Sequence, residues 1–257
     1  MLKPRFFCIA LLAAGLVWGT GCSYRYYAGD LKPLAEGSQG EGRSVADDGT
    51  VTFSQGRLDI SLRPMTDEEL NRQFSANSSD GPHSTNPYTF GNSTYFRGDD
   101  TPTRFTVFKL SVRNYEFPKV YIDPSQIFLT TGNGRKYWVL TFPQLQIYHR
   151  RYALGGQSGI GDGGVPGIEF QNYKTRANIL QRTLFPDEQI FSAQEVEGYL
   201  VFEPLAPDVS DLTVNIPNVV VRYDYKGDPR EAVDVTVKFE RDIGRRYPDG
   251  RLDLTEK

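Results

Sequence analysis

Few residues in this chain have the type and spacing that chemistry needs. Gly159-Ile160-Gly161-Asp162-Gly163-Gly164 spells G-x-G-x-x-G, a pattern that cradles a pyrophosphate only between a strand and the N-terminus of a helix. Val165-Pro166-Gly167 follows at once, so a flexible loop is expected instead. A G-x-S-x-G elbow fails in the same region because Ile160 occupies the second glycine, and one imperfect glycine-aspartate copy does not make a calcium-binding repeat. The two histidines, His83 and His149, share no H-x-x-x-H or H-E-x-x-H spacing, which removes a histidine-rich zinc site. Each is expected to be a surface or packed histidine. Glu195 and Glu197 fall on one face of a strand whose other face carries Val196, Leu200 and Phe202, so they read as acids on the wet side of a sheet rather than a glycosidase pair. Asp99-Asp100, Asp208 and Asp211 read as turn residues before calcium ligands. The expectation is no enzyme, no metal and no cofactor.

One residue does carry a chemical expectation. Lys3 and Arg5 precede the apolar run Phe6–Trp18, then Gly19-Thr20-Gly21-Cys22. The run is shorter than the ~20 residues that span a bilayer, and its flanks are those of a cleaved export signal over Met1–Gly21. The cysteine after a small residue resembles a bacterial lipobox, which implies diacylation of Cys22 and a lipid-anchored mature N-terminus. Ser23 beside it implies outer-membrane sorting in that pattern, facing either the periplasm or the surface. Gly19 stands where the pattern usually has Leu. Cys8 is the other cysteine, so the mature chain could form neither an internal disulfide nor a cysteine metal site.

Composition narrows the partners. Removing Met1–Gly21 takes away Lys3 and Arg5 and no acid, which moves the formal net charge from −3 to −5. A mildly acidic chain is a poor match for nucleic-acid phosphates. His149-Arg150-Arg151 and Arg245-Arg246 are too short to change that. The expected partners are a membrane, through the lipid, and another envelope protein or a glycan.

The elements that must position these residues are mostly strands. In Thr103–Leu140, Phe108, Leu110 and Val112 alternate with Lys109, Ser111 and Arg113, the period-2 signature of a half-buried strand. Gly132-Asn133-Gly134 marks a hairpin turn there. Upstream, residues 22–48 lack periodicity and are expected to be a flexible tether. Tyr24, Tyr26 and Tyr27 are placed either at the headgroup level or on the folded domain. Thr50–Phe53 and Arg57–Arg63 form a hairpin, with Pro64 expected to stop the second strand. Thr66-Asp67-Glu68-Glu69 is a capping box opening a short helix in which Leu70 and Phe74 pair. Residues 75–102 form a long polar loop whose aromatics Tyr88, Phe90, Tyr95 and Phe96 must pack on the domain or on a partner.

Downstream, Phe142–Tyr152 and Phe170–Leu184 carry helical spacing, the second with Tyr173, Ala177, Leu180 and Leu184 in one stripe. The chain then returns to strands at Glu195–Pro204, Asp211–Ile216, Val219–Tyr225 and Ala232–Glu240, with Lys226-Gly227-Asp228-Pro229 as a turn. About eight or nine strands of this kind predict an all-β, antiparallel sandwich with two or three short helices. Its expected span is 49–241, with a helical insert at 142–184 and a polar tail at 242–257.

The pieces Val112–Asn114 (VRN), Ile122–Leu129 (IDPSQIFL), Gly132–Tyr137 (GNGRKY) and Glu197–Pro204 (EGYLVFEP) resemble strand–turn signatures of Ig-like domains in uncharacterised bacterial lipoproteins. They cover roughly half of the mature chain, and the resemblance brings no catalytic residue with it. It implies an Ig-like sandwich in an envelope protein with a binding or assembly role. Candidate contacts are Tyr88, Phe90, Tyr95 and Phe96 in the long loop and Tyr148 and Tyr152 in the insert, because aromatics on loops are common contact material. A glycan-binding module and a hydrolase using Glu195 and Glu197 are the alternatives. Trp138, read as a core-like strand residue, gives poor support to the first.

Overall fold

The alternation at Phe108, Leu110 and Val112 becomes the inward face of the nine-residue strand β6 (Thr106–Asn114), all three at 0 % exposure. This computed structural model describes residues 24–79, 83–92, 102–155 and 166–255. β6 lies inside a five-stranded antiparallel sheet, in the order β11 (Gln194–Phe202), β6, β5 (Leu58–Met65), β4 (Val51–Gln55), β3 (Arg43–Val45). A second sheet runs β10 (Gln189–Phe191), β7 (Lys119–Tyr121), β12 (Asp211–Tyr223), β13 (Pro229–Glu240), β2 (Lys32–Pro33). On it, β8 (Phe128–Thr131) pairs with β12 and with β9 (Lys136–Trp138).

The two sheets close on one apolar cluster. Leu58, Ile60, Leu62, Phe108, Leu110 and Val112 from one meet Leu212, Val214, Ile216, Val235, Val237 and Phe239 from the other. Phe108 is wedged between Phe202 and Phe239, at ring-centroid distances of 5.9 and 5.2 Å. The fold is therefore an antiparallel β-sandwich, as the alternation predicts.

Asn114 ends β6 in a buried polar knot. Its side chain donates to the carbonyls of Phe117 (2.8 Å) and Ile190 (3.0 Å) and accepts from the Phe117 amide (2.9 Å). Buried backbone groups that the turn leaves without ladder partners are satisfied there. Four α-helices are added among the described residues: α1 (Glu36–Gln39), α2 (Asp67–Gln73), α3 (Phe142–Gly155) and α4 (Pro166–Thr183). The Thr66–Glu69 capping box opens α2 as expected, with both reciprocal bonds present.

Several sequence expectations change. Residues 24–48 are not a free tether: β1 (Arg25–Ala28) pairs with β14 (Ile243–Arg246), β2 with β13, and β3 with β4. The polar tail expected at 242–257 carries strands as well: β14 also pairs with β15 (Leu252–Leu254). Tyr24 packs against Tyr26 and Tyr247, and Arg245 lies 4.7 Å from its ring centroid. β5 passes through Pro64, which stands opposite Phe108, and stops one residue later. The strands expected at Asp211–Ile216 and Val219–Tyr225 are one strand, β12, with a register shift at Pro217-Asn218; Asn218 takes φ 53°. A bulge of this kind kinks a strand without ending it. Trp138 is not a core residue: it is 49 % exposed. Met1–Gly21, Cys22, Tyr95, Phe96, Asp99-Asp100 and the 159–164 motif lie outside the described residues.

Candidate functional site

The helical insert is attached to the sandwich by both of its ends. β11 is the outer strand of its sheet, and its free edge is used up here: Leu140 N donates to Val201 O (2.8 Å) and Phe185 N to Tyr199 O (3.0 Å). Residue 198 must be glycine for this. A Cβ there would stand 2.4 Å from the Phe185 backbone. Thr141 starts α3, its amide and hydroxyl both donating to Gln144 Oε1 (2.8 and 2.9 Å). The helices then cover one end of the sheet's outer face. Val107, Tyr199 and Val201 from the strands join Leu70, Tyr88, Phe105, Leu145 and Leu180 in a second apolar cluster.

The predicted contact residues separate on this layer. Tyr88 is fully buried, not a surface contact. Its ring packs on Phe74 and Tyr199, and its hydroxyl lies 2.5 Å from Thr183 Oγ1. Thr183 already donates to Ile179 O, so Tyr88 is the donor. Burial pushes its hydroxyl well above the ordinary tyrosine range, and the Thr183 contact offsets only part of that. Phe90, Tyr148 and Tyr152 are half-buried. Tyr148 and Tyr152 line an open groove of about 820 Å³ together with Phe105, Leu140, Gln144, Ile147, Arg151, Glu203 and Pro204. Ile147, 52 % exposed, stands at its rim.

Beneath Tyr148 and Tyr152 lies a cluster that sequence reasoning missed. Arg104, His149 and Arg176 are all at most 2 % exposed. Arg104 Cζ is 4.1 Å from the Phe90 ring centroid and 4.7 Å from that of Tyr152, and Arg176 Cζ is 5.4 Å from Tyr152. Both guanidiniums hold the 83–92 segment: Arg176 Nε and Nη2 donate to Ser84 O (3.0 and 2.6 Å), and Arg104 Nη1 to Asn86 O (3.3 Å). Burial, with Arg104 and Arg176 adding repulsion, drives His149 down to about 2, so its ring is neutral. Burial and Arg104 pull Arg176 down to about 10. Glu169 Oε1 is 2.6 Å from His83 Nδ1, and its other oxygen is 3.9 Å from Arg176. A signal for this cluster exists in the sequence. Arg176 lies three residues after Tyr173 and four before Leu180, and His149 four after Leu145, each a polar residue on an apolar stripe.

The remaining candidates are not brought together. Glu195 and Glu197 point outward from β11, and Glu197 pairs with Lys109 at 2.7 Å. Neither lines the groove above or the cavities described next. Trp138 and Phe128 are tilted by 52° with Lys136 Nζ within 4.0 Å of both ring centroids, so they form no flat shelf. Asp208 is held by Arg135 through two bonds of 2.6 and 2.8 Å, and no metal-ligand group of three occurs among the described residues. An apolar cavity of about 380 Å³ lies between α4 and the sheets, lined by Leu140, Phe142, Leu180, Leu184 and Leu200 among others. A smaller one, about 190 Å³, contains Asp30, Asp67 and Arg241. There burial, then the Asp30 charge, pushes Asp67 up to about 6. No helix is long and apolar enough to cross a membrane among the described residues.

A comparison with family models finds no match, and a search of curated proteins finds none. Among solved structures, the chain is similar to MPT63, a secreted protein from Mycobacterium tuberculosis, at 12 % identity and a TM-score of 0.27. The similarity covers 68 % of this chain and 90 % of that one.

Proposed function

We propose that this chain is a lipid-anchored bacterial envelope protein that binds another envelope protein without catalysing a reaction. Acylation of Cys22 anchors it to the outer membrane, and the α3 groove receives the partner. The groove is the observation that supports this reading most. Ile147 is more than half exposed beside Tyr148 and Tyr152, and apolar and aromatic surface with charged residues at its rim, here Arg151 and Glu203, is the usual make-up of a contact site. The resemblance to Ig-like lipoprotein domains points the same way. Against a hydrolase stand the solvent-exposed Glu195 and Glu197, which line none of the described cavities; against a glycan shelf stands the tilt of Phe128 and Trp138.

Membrane fractionation of wild type beside Cys22→Ser tests the anchor: the variant is expected to leave the membrane fraction, and identical fractionation refutes lipidation. Affinity capture with wild type beside Ile147→Asp tests the groove. A partner retained equally by both proteins refutes that assignment.

A further inference from the structure

We propose that Arg104, His149 and Arg176 form a binding site for a small oxyanion, the phosphate, sulfate or carboxylate group that their unused N–H donors would hold. Arg104 Nε and Nη2, Arg176 Nη1 and both His149 ring nitrogens are buried without a hydrogen-bond partner. His149 approaches the Pro87 carbonyl, but neither nitrogen reaches hydrogen-bond geometry. Among the described residues the cations are also short of counter-charge. Glu169 is the one carboxylate within ion-pair distance of Arg176 among the described residues, at 3.9 Å, and its other oxygen is engaged by His83. Among the described residues no carboxylate reaches Arg104 within that distance; the Tyr152 hydroxyl hydrogen-bonds it, and Asp67 acts on it only at longer range.

Two guanidiniums at 2 % and 0 % exposure with open donors are costly. An uncompensated buried charge and an unmade charged hydrogen bond each cost several kcal/mol in general. The guanidinium fork matches the geometry of carboxylate and phosphate oxygens, and a neutral imidazole adds one further N–H. Burial lowers all three groups, and the Arg104 charge lowers His149 and Arg176 further, a positive field that an anion would relieve. Tyr152, half-buried, lines the α3 groove on one side and packs against both guanidiniums on the other. This inference stands apart from the proposed docking role, since it needs the buried cluster and not Ile147.

The test melts the full-length chain in detergent in chloride, phosphate, sulfate or acetate at matched pH and ionic strength, with calorimetric titration of phosphate and acetate. Expected is a saturable rise in melting temperature with an oxyanion but not chloride. Arg104→Gln should weaken that oxyanion about tenfold or more, the loss of one charge-assisted hydrogen bond of ~1.5 kcal/mol, and should melt no lower than wild type in chloride. Preference for phosphate or sulfate identifies a phosphate-type ligand; preference for acetate identifies a carboxylate. Either outcome supports the site. No saturable response of the wild type to any of the three overturns it, as does an undiminished response in Arg104→Gln. If that variant does not fold, wild-type calorimetry decides alone.

Discussion

Between the sheets, Phe108, Leu110 and Val112 share their surroundings with Val214, Val237 and Phe239. On the outer face of the same strands, Val107, Tyr199 and Val201 lie under helices that bury Arg104, His149, Glu169 and Arg176. Every buried Arg, His or Glu among the described residues belongs to that second layer. The sheet interface follows from period-2 burial of aliphatic and aromatic side chains, whose transfer from water drives it. The helical layer does not. It carries ionic groups that hydrophobic residues of similar volume could replace without loss of stability, and it presents the groove. The contrast separates an interface held by apolar burial from a layer that also buries ionic groups.

The largest expected effect lies in the dry interface. Phe108→Ala should lower unfolding free energy by ~3–5 kcal/mol, read as a shift in denaturant midpoint at unchanged slope. A smaller loss would mean that this cluster does not carry the fold. Next is the junction of the two regions. Gly198→Val forces a side chain onto the Phe185 backbone and should cost ~1–3 kcal/mol. Amide exchange should then lose protection in α3 and α4 while β5, β6 and β12 keep theirs. Uniform loss would show that the layers are not separable.

The pH response sharpens the same contrast. His149 is held at about 2 when folded against ~6.5 unfolded. The unfolded chain therefore takes up the proton first, and stability falls as pH drops below ~6.5, by about 1.4 kcal/mol per unit. Asp67 has the opposite sign. Its folded value of about 6 lies above the ordinary carboxylate value of 3.8, so its contribution is present in acid and lost as pH rises through about 6. The two should nearly cancel between those limits. Asp67→Asn should expose the full acid slope of His149, and His149→Asn should remove it. A wild type that loses stability steeply from pH ~6.5 to ~4 would contradict the pairing.

How much of this was legible follows the same division. β6, β11 and β13 announce themselves because one face is uniformly apolar, and the Thr66–Glu69 box and the Lys226–Pro229 turn are local chemistry. β1 and β2 are not legible. They are short, without a repeating pattern, and their partners β14 and β13 lie some two hundred residues away. Tyr88 was recognisable as an aromatic in a polar loop, but nothing local says that its hydroxyl meets Thr183. Arg104 precedes a strand, and its burial depends on Phe90 and Tyr152 arriving from two other segments. The insert's position on β11 rests on Gly198, whose role becomes visible only once Phe185 is beside it.

The smallest effect on stability is expected at the groove, where Ile147→Asp should change unfolding free energy by no more than ~0.5 kcal/mol. That makes position 147 the cleanest probe of the proposed binding role. A photoreactive residue placed there, with a second at equally exposed Phe191 on β10 as the control, can be irradiated in intact envelopes. A discrete adduct from position 147 and none from position 191 is the predicted result. The same adducts from both positions, or none from position 147, would contradict the assignment of the α3 groove as the contact surface.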